Sequence, residues 1–359
     1  MLLEPMRFRN GVSARNRVWL APMTNQQSHD DGSLSDDELA WLAMRARGGF
    51  GVVETCAAHV ATDGQGWPGE LGVYDDHLLP GLRRLASTLS GEGTLGIVQI
   101  FHGGLRSPPA LLGHDPWSAS AQPGPGGIAV RAGTEADVER AIGQFGAAAA
   151  RAHAAGFAGV ELHGAHGYLL GQFLSKTLND RRDRWGGSLE GRARLLREAT
   201  RAARAATPPG FLVGVRISPE DYGNAQGLDL DESLTTAGWL AEDGADFLHV
   251  SLWNTHKNTR KRPDQHPIPL FRAALPREVI LVTAGEVWTR ADADALLEKG
   301  ADAVALGRSA IANPEWPLRA ADPAWQPRRP PLSVAELGER GLSPRFAGYM
   351  RNWKGFVAD

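Results

Sequence analysis

At 359 residues with 42% hydrophobic side chains, the chain can bury a large core, and length alone allows one α/β barrel or two ordinary domains. Its 38 basic and 41 acidic residues leave a formal net charge of −3, which gives no electrostatic footprint for nucleic acid. No apolar run reaches the roughly 18 residues of a membrane span, and Met1–Arg7 lacks the pattern of a secretion signal, so a cytoplasmic protein acting on small molecules is expected.

Eight short β-type runs follow one another: Arg17–Met23, Gly51–Ala57, Leu95–Phe101, Phe157–His163, Leu212–Ser218, Asp246–Leu252, Val279–Ala284 and Ala303–Leu306. Most are continuously apolar, as parallel strands buried on both faces are. Helical signals separate them. Ser35-Asp36-Asp37-Glu38 reads as a capping box ahead of Leu39, Leu42 and Ala46, and Thr134 opens a helix with Val138, Ile142, Phe145 and Ala149 on one face and Gly156 beyond it. Thr289 opens another, closed by Gly300. Eight strand–helix units, with no Gly-x-Gly-x-x-Gly after the first strand, predict a single (β/α)8 barrel over residues 1–320 in preference to a doubly wound sheet. Residues 321–359 form an extension whose Phe346, Tyr349, Trp353 and Phe356 are expected to dock on the barrel or on a neighbouring copy in a homo-oligomer. The single cysteine, Cys56, excludes an internal disulfide and a cysteine-rich metal or iron–sulfur site within the chain; its apolar neighbours predict a buried, inert thiol, and no metal site is expected.

Active sites of parallel barrels lie at the carboxyl ends of the strands. There the fourth run ends in His163-Gly164-Ala165-His166-Gly167-Tyr168, where two imidazoles can converge on one acceptor oxygen and a phenol can deliver a proton to the same molecule. Arg216, ending the fifth run, needs an anionic or strongly accepting partner, either a ligand or a carboxylate such as Glu54 or Glu161. The Gly285 and Gly307-Arg308 turns after the last two runs suit a phosphate. A phosphorylated cofactor beside a small substrate follows, and flavin mononucleotide (FMN) fits, with Gln99 and Arg216 at its pyrimidine edge.

Further motifs are Asn16-Arg17-Val18 with Ala21-Pro22-Met23-Thr24, Gln99 with His102, the block Glu161–Leu170, then Asn179, Arg181, Asp183, Gly186-Gly187-Ser188, Arg192 and Ala312-Asn313-Pro314. Together they resemble the Old Yellow Enzyme family of FMN-dependent NAD(P)H oxidoreductases over nearly the whole chain. The resemblance implies FMN contacts from Pro22, Met23, Thr24, Ala57, Gln99, Arg216, Gly285, Gly307 and Arg308, with Thr24 tuning the flavin. It implies that His163 and His166 hold a carbonyl oxygen, that Tyr168 protonates the α-carbon of an enone or enal, and that NADPH or NADH reduces the flavin in a ping-pong cycle. Other reactions of such barrels are nitroester or nitro reduction, alkene isomerisation and amine oxidation; a flavin-dependent RNA reductase of the dihydrouridine synthase type is disfavoured by the acidic balance.

Three positions depart from the family pattern: the arginine after His102 falls one residue late, at Arg106; Lys176 replaces a proline; and Trp185 replaces a tyrosine. Lys176 is read mainly as solvated charge. The basic loop Lys257–Arg262 is a candidate for the 2′-phosphate of NADPH, and Trp67, Trp253 and Tyr349 are candidates for shaping the substrate pocket.

Overall fold

In the computed structural model, which describes residues 1–358, eight parallel strands close on themselves. They are β1 (Val18–Leu20), β2 (Val52–His59), β3 (Leu95–Phe101), β4 (Gly159–Gly164), β5 (Leu212–Ile217), β6 (Phe247–Ser251), β7 (Ile280–Ala284) and β8 (Ala303–Leu306). Each pairs with the next, and β8 returns to β1 through Val304 opposite Val18. All eight runs read from the sequence are therefore the barrel strands, with no end shifted by more than three residues. Burial on both faces explains their unbroken apolar character: one face fills the barrel and the other carries helices.

A helix follows each strand: α1 (Asp36–Arg47), α2 (Leu79–Gly91), α3 (Glu135–Ala155), α4 (Leu189–Ala205), α5 (Leu230–Glu242), α6 (Pro267–Ala274), α7 (Arg290–Glu298) and the short α8 (Arg308–Ala312). Thr134 and Thr289 make reciprocal capping boxes with Asp137 and Asp292, and Gly156 ends α3 in the left-handed conformation. The box expected at Ser35 forms only in half. Ser35 accepts from the Glu38 amide at 3.1 Å, but the Glu38 carboxylate turns inward, where Asn25, Ser28 and the Cys56 thiol donate to it. Cys56 is itself buried, and burial together with the Glu38 charge pushes its thiol well up, so it stays protonated.

The amino-terminal ends of the strands are closed by a hairpin of Met6–Arg7 and Ser13–Ala14, whose Met6 and Phe8 join Trp19, Ile97 and Phe247 in one apolar layer. Trp19 meets Phe247 edge-on at 5.1 Å. Each such side chain contributes roughly 2–3 kcal/mol by burial, so this end is a sealed plug and the ligand-binding end is the other one. Beyond α8 the chain crosses the barrel. Two short helices, α9 (Val334–Glu339) and α10 (Pro344–Met350), lie on α1: Phe346 is fully buried 5.5 Å from Trp41, Arg45 donates to the Arg340 carbonyl at 2.7 Å, and the Ser343 amide donates to Gln27.

Candidate active site

The registers set the site. His163 in β4 lies opposite Arg216 in β5, and Arg216 lies opposite His249 in β6. The Ala165 amide donates to His163 Nδ1 at 3.3 Å, so the ring proton is assigned to Nε2. His166, held at φ +60°, places Nε2 2.8 Å from Ser251 Oγ, and that hydroxyl also accepts from Arg216 Nη2 at 3.1 Å. With Arg216 donating to the Ser251 oxygen, the hydroxyl proton is assigned to the bond with His166 Nε2 and the proton of His166 to Nδ1. Burial first, and then the charge of Arg216 and neighbouring groups, push both imidazoles well below the usual histidine range. Each ring is neutral at pH 7 and carries one N–H to donate.

The two rings stand 5.0 Å apart at 86°, and the Tyr168 ring is 5.0 Å from His163. Phe101 packs on Tyr168 at 4.5 Å, and burial pushes the phenol up to about 12, so it is protonated at neutral pH. Between them, Gly167 is at φ +70° and a Cβ there would come within 2.2 Å of the Asn224 carbonyl oxygen; only glycine lets the loop around Asn224 close on this segment.

Below this cluster the barrel holds a polar core. Glu161 accepts from Gln99 at 2.7 Å and lies 2.8 Å from His249 Nδ1, and the ligand atoms of Glu54, Glu161 and His249 lie within 4.8 Å of one another. Burial, reinforced by Glu161, pushes Glu54 well up, so Glu54 keeps its proton. Burial opposes ionisation of Glu161 too, but His249, Arg216 and the Gln99 amide together hold it below the ordinary carboxylate range. The positive charge balancing this cluster is Arg216. Its charge stabilises the Glu161 carboxylate, while its buried Nε has no partner among the described residues.

A cavity of about 280 Å³ opens at the carboxyl ends of the strands. Seven of the nine residues expected at a cofactor line it: Pro22, Met23, Thr24, Arg216, Gly285, Gly307 and Arg308. Ala57 and Gln99 do not; both are buried in the barrel, and the Gln99 amide is engaged by Glu161. His163, His166 and Tyr168 also lie off the lining, and His166 is linked to it through Ser251 and Arg216. Trp253, Tyr349 and Trp353 form part of the cavity wall, the last two brought by the carboxyl-terminal extension. The donor set fits FMN. Arg216 Nε and Ser309 Oγ are buried polar atoms without partners among the described residues, one at the end suited to a flavin carbonyl edge and the other in the turn suited to a phosphate. Gly285, at φ +139°, has no room for a side chain, since a Cβ would lie 2.0 Å from the Leu252 carbonyl oxygen. Arg308 is ion-paired with Glu286, an acidic neighbour of the phosphate turn.

The remaining candidates fall elsewhere. Lys176 is paired with Glu232 at 2.9 Å. In the basic loop, Lys261 is held by Asp229 and Asp231 and Arg262 by Asp231, while Arg260 stacks on Tyr222, so two of the loop's four positive charges are paired internally. Trp67 packs on Phe101 and reaches Tyr168 at 6.5 Å. Three residues with a place in the site, Ser251, His249 and Glu286, had no motif to mark them, and Arg106 was marked only by its shifted place after His102. Ser251 and His249 sit on the sixth strand, where the strand-end rule points without saying which side chain turns inward.

Comparison with known proteins adds to this geometry. Residues 1–324 match the model of the NADH:flavin oxidoreductase / NADH oxidase family. The chain is 37% identical over 325 residues to a probable NADH-dependent flavin oxidoreductase, YqiG, of Bacillus subtilis, covering 89% of this chain and 87% of that protein. It is 34% identical to the NADH:fumarate oxidoreductase of Klebsiella pneumoniae, of which it spans only 36%, so that name describes a larger protein. The structure of the old yellow enzyme homologue from Zymomonas mobilis superposes with a TM-score of 0.82 at 27% identity, over 94% of this chain and 96% of that one. The chain therefore belongs to the NADH:flavin oxidoreductase / NADH oxidase family, the Old Yellow Enzyme group, and is an FMN-dependent NAD(P)H oxidoreductase.

Proposed function

We propose that the protein reduces the carbon–carbon double bond of α,β-unsaturated carbonyl compounds. The observation that carries this reading is the pair of neutral, singly protonated imidazoles of His163 and His166, at right angles and 5.0 Å apart, with the protonated Tyr168 phenol beside them. His163 Nε2–H and His166 Nδ1–H hold the substrate oxygen and draw electron density from the conjugated bond, which makes the β-carbon electrophilic. Tyr168 gives its proton to the α-carbon. FMN, when bound and reduced by NADH or NADPH, would supply the hydride for the β-carbon. Pro22, Met23, Thr24 and Arg216 would hold the ring, Thr24 being placed to tune it, and Gly285, Gly307 and Arg308 the phosphate. Ala57 and Gln99 would support the ring from the barrel side.

Phe346 packs on Trp41 while Tyr349 and Trp353 wall the cavity of their own chain, which supports a role for the extension in completing the site in cis. Tyr168→Phe tests the mechanism. NADPH should still reduce the flavin, while turnover of 2-cyclohexenone falls by about a hundredfold, in the range that a positioned general acid supplies. Undiminished turnover would remove Tyr168 as proton donor. The same oxygen clamp accepts a nitro group, whose reduction needs no proton at carbon, so nitro reduction with no enone turnover in the unmodified enzyme would replace the present reading.

A further inference from the structure

Arg106 ends a short 3-10 turn, Gly104–Arg106, that follows β3. Its guanidinium carbon lies 4.5 Å from the centre of the Tyr168 ring. Nη1 donates to the His166 carbonyl at 2.9 Å. With the Asn224 amide in the orientation that satisfies its neighbours, its oxygen accepts from Nη1 at 3.1 Å and from Nη2 at 3.0 Å. One side chain thus joins three segments around the site: the turn after β3, the histidine–tyrosine segment after β4, and the loop after β5. Among the described residues none of its hydrogen-bond acceptors is a carboxylate, and its positive charge lies against the aromatic face.

We infer that Arg106 is the positioning residue of the proton donor: clamped to the His166 carbonyl and to Asn224, it fixes the Tyr168 ring and sets a positive charge against it. The inference rests on the reading of Tyr168 as the acid of the reaction. In that step the phenolic O–H bond breaks, a C–H bond forms at the α-carbon, and the electron pair stays on the oxygen, which is later reprotonated from water. A guanidinium against the ring stabilises the phenolate as it develops, and a cation over an aromatic face also restrains the ring's rotation. Burial of Tyr168 works against proton release, and the Arg106 charge acts in the opposite direction. The family pattern places an arginine after His102, and the extra residue in this chain moves it one position out of register, so no role carries over to Arg106 from the resemblance.

The test uses the FMN-loaded enzyme with Arg106→Gln, which keeps a hydrogen-bond donor without the charge, Arg106→Lys, which keeps the charge, and Tyr168→Phe as reference. Reduced enzyme is reoxidised in stopped flow by 2-cyclohexenone or by ferricyanide, a one-electron acceptor that needs no proton at carbon, in H2O and D2O. We expect Arg106→Gln to slow the enone reaction about tenfold and raise its solvent isotope effect, Arg106→Lys to recover most of both, and ferricyanide reoxidation to change far less. Equal slowing with both oxidants, or an unchanged enone rate while Tyr168→Phe is slow, would reduce Arg106 to a structural residue and overturn the inference. If Tyr168→Phe itself is not slow, the proton-donor reading fails and takes the inference with it.

Discussion

Ser251→Ala removes the hydroxyl that accepts from Arg216 Nη2 at 3.1 Å and meets His166 Nε2 at 2.8 Å. The substitution leaves space for a methyl-sized side chain and a residue only 8% exposed, so packing is nearly preserved and the loss falls on the two hydrogen bonds. A hydrogen bond to a charged group contributes about 1.5–3 kcal/mol and one between neutral groups about 0.5–1.5 kcal/mol. Part of that loss is felt in the resting enzyme as well. The part specific to the reaction is the release of His166 from its single tautomer, so that its proton no longer always faces the substrate. We expect about 2 kcal/mol of lost transition-state stabilisation, or about thirtyfold in kcat/KM for 2-cyclohexenone. Ser251→Thr, which keeps the hydroxyl, should recover most of it. The assay is anaerobic stopped flow, with the oxidative half-reaction followed separately from reduction by NADPH. An enone rate within twofold of the unmodified enzyme in Ser251→Ala would refute the assigned tautomer, and equal losses in Ala and Thr would assign the effect to packing.

Three other outcomes follow from the same geometry. Glu286→Gln frees Arg308 from its ion pair, so FMN should be retained about fivefold more tightly, measured by fluorescence of released flavin; weaker retention would contradict a phosphate role for Arg308. Lys261→Ala should shift the NADPH-to-NADH preference by less than twofold, because Asp229 and Asp231 already neutralise that charge; a tenfold shift would place the 2′-phosphate there. His59 is buried and stacked on Tyr74 at 4.9 Å, and burial pushes it down to about 4. Between that value and about 6.5 the unfolded chain binds a proton that the folded one does not, so stability falls as pH drops through this window, by at most about 1.4 kcal/mol per pH unit from this group. His59→Gln should flatten the slope of unfolding free energy against pH there, and an unchanged slope would contradict the assignment.

The barrel was legible because its strands are buried on both faces, which leaves apolar runs such as Leu95–Phe101 that no amphipathic helix would show. The site was legible where a motif concentrates it, as in the segment from His163 to Tyr168, and where a fold rule assigns a place, as at Gly307. What escaped was set by packing across the barrel. Glu38 offers the spacing of a capping box, but its inward carboxylate finds Asn25, Ser28 and Cys56 and gives up the return bond to Ser35. Ser251 acts through a partner 85 residues away in sequence, and Arg106, although its shifted place was visible, reaches the His166 carbonyl 60 residues on; no local pattern can announce a contact of that range.

The central claim is that electrons pass from NADPH through FMN to a conjugated alkene at the histidine clamp. The most direct test is to mix the purified protein anaerobically with NADPH, follow loss of the oxidised flavin band, and then add 2-cyclohexenone. Bleaching followed by recovery of the band, with the saturated ketone as product, is the predicted result; bleaching without recovery would contradict enone reduction.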